Sequence, residues 1–177
     1  MPMLFPPDTR LPETADALIN CAISSGDLHS AAAVYELAEG EQKQQLSGIL
    51  CEERRNTLLL ARWEHTPAAV LQMLAEIDDE TVRLRLDKNP ASRAGTLNTI
   101  YKKGGHDRQL ISLLTQHAHS SSTLLNSLAM SEDDIPILKS IAAHPNTDAN
   151  TLIFLEQRYP DMFDNELAVH AETPPEL

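Results

Sequence analysis

Three histidines recur at one position of a repeated phrase, and imidazole is both the commonest metal ligand and the side chain that titrates near neutral pH. His117, His144 and His170 are spaced 27 and 26 residues apart, and His119 follows the first of them closely. Asn89 holds the same position one repeat earlier. Helical layers lie about 10 Å apart, whereas the ligands of one zinc ion lie about 2 Å from it. We therefore interpret the histidines as structural residues that end helices, with a pH-responsive or weakly metal-binding surface as the alternative.

Two acidic clusters offer the carboxylates that acid–base catalysis requires. They are residues 78–80 and 132–134, and each lies just before an expected helix. A carboxylate there stabilises the positive end of the helix dipole, which is the simpler interpretation.

The sequence contains no GxGxxG, no phosphate loop, no HExxH and no GxSxG. Cys21 and Cys51 lack metal-site spacing. We expect no enzymatic activity, no metal and no cofactor.

A basic centre supplies the candidate binding residues. The net charge of −12 divides into −7 for residues 1–53, +3 for residues 54–108 and −8 for residues 109–177. This centre could contribute to binding a protein or peptide, and an acidic partner would fit it. The alternatives are a nucleic-acid site over residues 54–108, which the total charge disfavours, and pairing of these residues with nearby acids. The candidate partner-binding residues are Arg62, Trp63, Arg83, Arg85, Lys88 and Arg93.

An internal repeat sets the elements that must position these residues. The repeated phrase begins at five residues, termed corner residues here, with spacings of 26, 28, 27 and 26 residues. A period of about 20 to 50 residues indicates stacked units that bury an apolar face against their neighbours. Aromatic residues are few and leucine and alanine are plentiful, so we predict an all-α helical solenoid. The corner residues are Trp63, Asn89, His117, His144 and His170.

Each unit repeats the same chemistry around its corner residue. Leucine or isoleucine stands three residues before it, and again eight and eleven residues after it in the first four units. The three-residue step places the later pair on one helical face, so we expect all three positions to be buried. A hydroxyl three residues after the corner residue is expected to cap a second, longer helix. These hydroxyl residues are Thr66, Ser92, Ser120, Thr147 and Thr173.

The N-terminal region differs from the repeats. Residues 1–12 contain four prolines, which favour an extended arm. Thr14 and Asp27 are suited to begin two helices, and a third is expected over residues 41–55. Residues 13–55 are therefore predicted to form a helical cap that covers the first layer of the solenoid.

Two segments resemble the leucine-rich repeat variant family, whose units run VRxxVAxNPxTPxxxLxxLA. They are VRLRLDKNPASRAGTLNTI, residues 82–100, and SIAAHPNTDANTLIFL, residues 140–155. The resemblance covers about residues 56–177, as four and a half repeats. It implies a right-handed superhelix of short two-helix repeats with no enzymatic activity of its own. The units are longer than is usual in that family, Ala118 replaces an expected proline, and the cysteines do not supply its iron–sulphur segment.

Location and assembly are the remaining expectations. The chain has no run of about 18 apolar residues and no leader-like start, so we expect a cytoplasmic protein without a membrane span. The fifth unit lacks most of its second helix. Either the tail or a second subunit is expected to cover that layer, which makes the protein a monomer or a homodimer.

Overall fold

The described part of the chain is all-helical. The structure, a computed structural model, describes residues 14–104, 107–171 and 173, and it contains no strand there. The predicted extended arm, residues 1–12, lies outside the described residues. The helices are α1 (Ala15–Ser25), α2 (Leu28–Val34), a 3₁₀ turn (Tyr35–Leu37), α3 (Gly40–Cys51), α4 (Arg54–Arg62), α5 (Ala68–Ala75), α6 (Glu80–Asp87), α7 (Ala94–Gly104), α8 (Arg108–Leu114), α9 (Ser122–Ser131), α10 (Ile135–Ala142), α11 (Ala149–Arg158) and α12 (Asp164–Val169).

Helices α1 and α2 begin where their capping residues predict. Thr14 Oγ1 accepts the Ala17 N–H at 3.3 Å, and Asp27 Oδ2 accepts the Ser30 N–H at 2.8 Å. Both caps are confirmed. The third helix ends earlier than expected, at Cys51, and Glu53 adopts an extended conformation before α4. An acidic residue there is unfavourable at the negative end of α3 and favourable at the positive end of α4, which explains the break.

The helices after α3 form pairs, and most of their members contact their counterparts in the next pair. The first helices are α4, α6, α8, α10 and α12, and each contacts the next. Among the second helices, α5 contacts α7 and α9 contacts α11. Helix α3 packs on α4 and the 3₁₀ turn packs on α5, so the N-terminal helices adjoin the first pair.

The predicted core register is confirmed. Every apolar position singled out by the repeat is between 0% and 5% exposed. Burying one such side chain contributes about 1.5 to 3 kcal/mol, so the three per unit supply much of the stability of each pair. These residues are Leu60, Leu86, Leu114, Ile141 and Leu167 in the first helices, and Leu71, Leu74, Leu97, Ile100, Leu125, Leu128, Leu152 and Leu155 in the second.

The repeated hydroxyls are buried or half-buried, but they do not cap the second helices. Thr147 Oγ1 donates to the carbonyl of Ile141 at 2.5 Å, and the other four make the same bond to the residue six positions earlier. The caps of α9 and α11 are instead Ser121 and Asp148, one residue later in the phrase. The last carbonyls of a helix lack the usual partner four residues later. The carbonyl of Ile141 accepts the His144 N–H at 3.1 Å instead, and the buried hydroxyl gives it a second bond at the end of the first helix.

The acidic clusters lie at helix starts, as interpreted from the sequence. Asp79 caps α6 by accepting the N–H groups of Thr81 and Val82 at 2.9 and 3.2 Å. Asp134 precedes α10 and pairs with Arg108. Both carboxylates thus stabilise helix termini and do not form an acid–base pair.

Candidate functional site

Hydrogen bonds join each corner residue to the one before it. Asn89 Nδ2 donates to the carbonyl of Trp63 at 3.0 Å, and His117 Nε2 lies 3.1 Å from the carbonyl of Asn89. His144 Nε2 lies 3.0 Å from the carbonyl of His117, and His170 Nε2 lies 2.8 Å from that of His144. We term this series the corner ladder. These hydrogen bonds connect successive helix pairs at the same position of each repeat.

Three corner side chains also use their other polar atom, which accepts a hydrogen bond from the backbone N–H two residues later in the sequence. His117 Nδ1 accepts from His119 and His144 Nδ1 accepts from Asn146, both at 3.1 Å. Asn89 Oδ1 does the same at 2.9 Å, so an amide reproduces both bonds of the imidazole. The proton of these two neutral rings therefore lies on Nε2.

The environment of the corner ladder opposes protonation. Burial lowers the pKa of His117 and of His144 below the ordinary histidine value. Both nitrogens of each ring are already engaged, so neither ring offers a free lone pair to a metal. The structural interpretation of the histidines agrees with this geometry.

Carboxylates that could hold a metal gather elsewhere. Among the described residues, Glu156, Asp161 and Asp164 have oxygens within 4.8 Å of one another, at the junction of α11 and α12. Oxygen ligands of this kind suit calcium or magnesium. One of them already has a structural role, because Glu156 Oε1 accepts the N–H of Asp161 at 3.1 Å.

A groove of about 880 Å³ runs along α4. We term it the α4 groove. Helix α2 contributes one residue, α4 contributes five, α6 contributes one, and the corner after α4 contributes two. The lining residues are His29, Arg54, Arg55, Leu58, Leu59, Arg62, Trp63, Glu64 and Arg85.

The structure separates the six candidate binding residues predicted from the sequence. It brings Arg62, Trp63 and Arg85 together in the α4 groove. Arg83 is different, because its side chain is only 13% exposed and its Nη1 pairs with Asp78 at 2.9 Å. Lys88 lines another depression, beside α8, and Arg93 is exposed outside the α4 groove.

Sequence reasoning missed the part of the groove formed by α4 itself. Arg55, Leu58, Leu59 and Arg62 follow one another at offsets of three, four and seven residues. That spacing places all four on one side of a helix, so helical periodicity could have found them. The prediction over residues 41–55 instead assigned Arg55 to the end of the preceding helix.

The arginines of the groove differ in their partners. Arg54 binds Asp79 through Nε–Oδ2 at 2.6 Å and Nη2–Oδ1 at 3.1 Å, and this bond is the main reason that the pKa of Asp79 falls to about 2. Arg85 Nη1 donates to the carbonyl of Leu58 at 2.9 Å. Within the described parts of the chain, Arg55 and Arg62 make no side-chain hydrogen bond or ion pair. Their positive charges have no acidic partner among the described residues, and the bond of Arg85 to a neutral carbonyl leaves its charge in place as well.

Trp63 closes one end of the groove. Its ring meets the His29 ring edge to face, with centroids 4.9 Å apart, and lies 5.9 Å from the ring of His65. The tryptophan is only partly buried. It therefore packs against α2 and still presents ring surface to the groove.

Asp87 is a buried acid beside the corner ladder. It is 2% exposed, and neither carboxylate oxygen has a hydrogen-bond partner among the described residues. Burial raises its pKa to about 7. It also lines the depression that contains His117 and His119. The residues at the same distance before the other corner residues are uncharged: Ala61, Thr115, Ala142 and Ala168.

Comparison with family models, with curated proteins and with solved structures finds no match to this chain. Among the helices that the structure describes, none combines the length and apolar composition of a membrane span.

Proposed function

We propose that the chain is a non-catalytic binding module, built as a right-handed superhelical solenoid with an N-terminal helical cap, that binds a protein or peptide in the α4 groove. Three observations support the solenoid: first helices contact one another in order, core positions recur at one register, and the corner ladder links successive pairs. The resemblance to leucine-rich repeat variant proteins agrees with it. Stacked units of this kind present an extended surface suited to binding.

The single observation that carries the binding proposal is the composition of the α4 groove. Arg55 and Arg62 have no partner in the described residues, and Leu59 between them is 43% exposed. Trp63 adds a partly exposed aromatic ring at the end of the same groove. Tryptophan and arginine are the residues most enriched among those that dominate interface energies, and apolar surface between them supplies burial.

Site-specific photo-cross-linking tests the proposal. A photoreactive phenylalanine analogue replaces Leu59 in the groove and, as the control, Met130 on α9, which is 61% exposed. Both proteins are irradiated in lysate of the source organism, and the products are identified by mass spectrometry. We expect specific protein adducts from position 59 that disappear in the Arg55→Glu background. Equal adducts from both positions, or none from position 59, would overturn the proposal.

A nucleic-acid ligand is less well supported. Much of the basic centre is neutralised internally, because Arg54, Arg83, Lys103 and Arg108 each form an ion pair with an acidic residue. A polyanion would also meet a total charge of −12. Fluorescence anisotropy with labelled single-stranded and duplex DNA and RNA at low salt tests this alternative. Affinity that falls steeply with added salt would favour it over the protein partner.

A further inference from the structure

Building on the proposed function, we infer that the partner presents an acidic amphipathic helix, with two carboxylates seven residues apart and leucine-like residues between them. The groove itself specifies this pattern. Arg55 and Arg62 are seven residues apart on α4, and Leu58 and Leu59 lie between them. At 1.5 Å per residue, the two arginines are separated by about 10 Å along the helix axis.

The charge of the groove selects an anionic partner. Arg55, Arg62 and Arg85 contribute positive charge, whereas Glu64 is the acidic residue of the lining. Arg54 also lines the groove, but its guanidinium is held by Asp79. Arg85 Nη1 is bound to the carbonyl of Leu58, so Arg55 and Arg62 are the two groove arginines that have no side-chain partner among the described residues and can pair with an incoming carboxylate. Such pairs raise the association rate and fix the register of the partner.

The apolar part of the groove favours a peptide over a phosphate backbone. Leu59 is 43% exposed and Leu58 lies beside it in the lining. Phosphates could pair with Arg55 and Arg62, but they would leave this leucine surface in contact with water. Apolar side chains placed between two carboxylates would cover the leucines and meet the ring of Trp63.

The spacing favours a helix over an extended strand. In a strand, residues on one face recur at about 6.6 or 13 Å, because side chains alternate and each residue advances about 3.3 Å. Neither distance matches the separation of Arg55 and Arg62 along the axis of α4, which is about 10 Å. In a helix, residues seven apart lie on nearly the same face at about 10 Å, and those at offsets three and four lie between them.

Two helical peptides of identical composition test the inference. Both are Ala-rich and carry two leucines and two glutamates, and the glutamates are seven residues apart in one peptide and five apart in the other. The chain has a single tryptophan, so Trp63 fluorescence reports binding at the groove directly. We expect the seven-residue spacing to bind about tenfold more tightly, since five-residue spacing turns one glutamate away. Equal affinities, or no binding by either peptide, would overturn the inference.

Charge-swap variants assign the effect to the two arginines. Arg55→Glu should weaken the matched peptide about fivefold or more, and replacing the facing glutamate with lysine should restore the affinity. Arg93→Glu is the matched control, since it makes the same charge change at an exposed site outside the groove. Equal weakening by Arg55→Glu and Arg93→Glu would show nonspecific attraction and would contradict the inference. Cross-linking at Leu59 separates the two proposals: adducts there with no spacing preference refute only the acidic helix.

Discussion

Replacing Asp87 with alanine should stabilise the protein, and the gain should depend on pH. Asp87 is 2% exposed, and both of its carboxylate oxygens lack partners in the part of the chain that the structure describes. It ends α6, where the helix dipole is also negative. Other corners carry Ala61 and Ala142 at this place, so the fold accepts alanine there.

The magnitude follows from the pKa of Asp87. Burial raises it from 3.8 to about 7, a shift of about three units at 1.36 kcal/mol each. Because the folded state holds this proton more tightly than the unfolded state, stability falls as pH rises from about 4 to about 7 and is constant above that. The wild type should therefore lose on the order of 4 kcal/mol between pH 4 and pH 8 from this group alone.

Urea unfolding of wild type, Asp87→Ala and the exposed control Glu52→Ala, each at pH 5 and pH 8, measures the effect. We expect Asp87→Ala to gain a few kcal/mol more at pH 8 than at pH 5, whereas Glu52→Ala should show no such difference. A gain that is the same at both pH values would contradict this prediction, because the carboxyl would then titrate at its ordinary pKa.

Three further predictions concern the corner ladder and the core. His144→Asn should keep both ring hydrogen bonds, as Asn89 does, whereas His144→Leu should cost about 1 to 3 kcal/mol in urea unfolding; equal losses would contradict the ladder. Burial lowers the pKa of His117 and His144, so the stability that these residues contribute is complete above about pH 6.5 and is lost below it. In the double variant His117→Asn, His144→Asn, the free energy of unfolding should therefore change less between pH 7 and pH 5 than in the wild type. Leu97→Ala should cost about 2 to 5 kcal/mol and Thr147→Ala about 1 to 3 kcal/mol, and neutral melts for both would refute the register.

Periodicity predicted the helices and the core because it reports which residues share a buried face. Leu60 and Leu97, which lie in different helices, are both completely buried, as their spacing required. The prediction that Thr147 caps the second helix is wrong, because its hydroxyl bonds to the end of the first helix, and a capping sequence pattern does not show which nearby backbone group the hydroxyl reaches. The neighbouring Asp148 supplies the cap.

The candidate site was only partly predictable because its charges are set by contacts between units. Arg54 binds Asp79, which is 25 residues away in the sequence, and Arg83 binds Asp78. Neither arginine is therefore free to bind a partner, although a count of basic residues includes both. Arg55 and Arg62 have no side-chain partner in the described residues, and the sequence alone does not distinguish them from the paired arginines. The equivalence of asparagine and histidine at the corners was visible in the sequence, but its cause is the paired bonds made by both side chains.

Amide chemical-shift mapping tests the central claim, that the α4 groove is the binding surface. The labelled protein is titrated with the acidic helical peptide whose glutamates are seven residues apart. We expect the largest shift changes at Arg55 to Trp63, with further changes at His29 and Arg85, and small changes in α9 to α12. Largest changes in α9 to α12, or none along α4 at saturation, would contradict it.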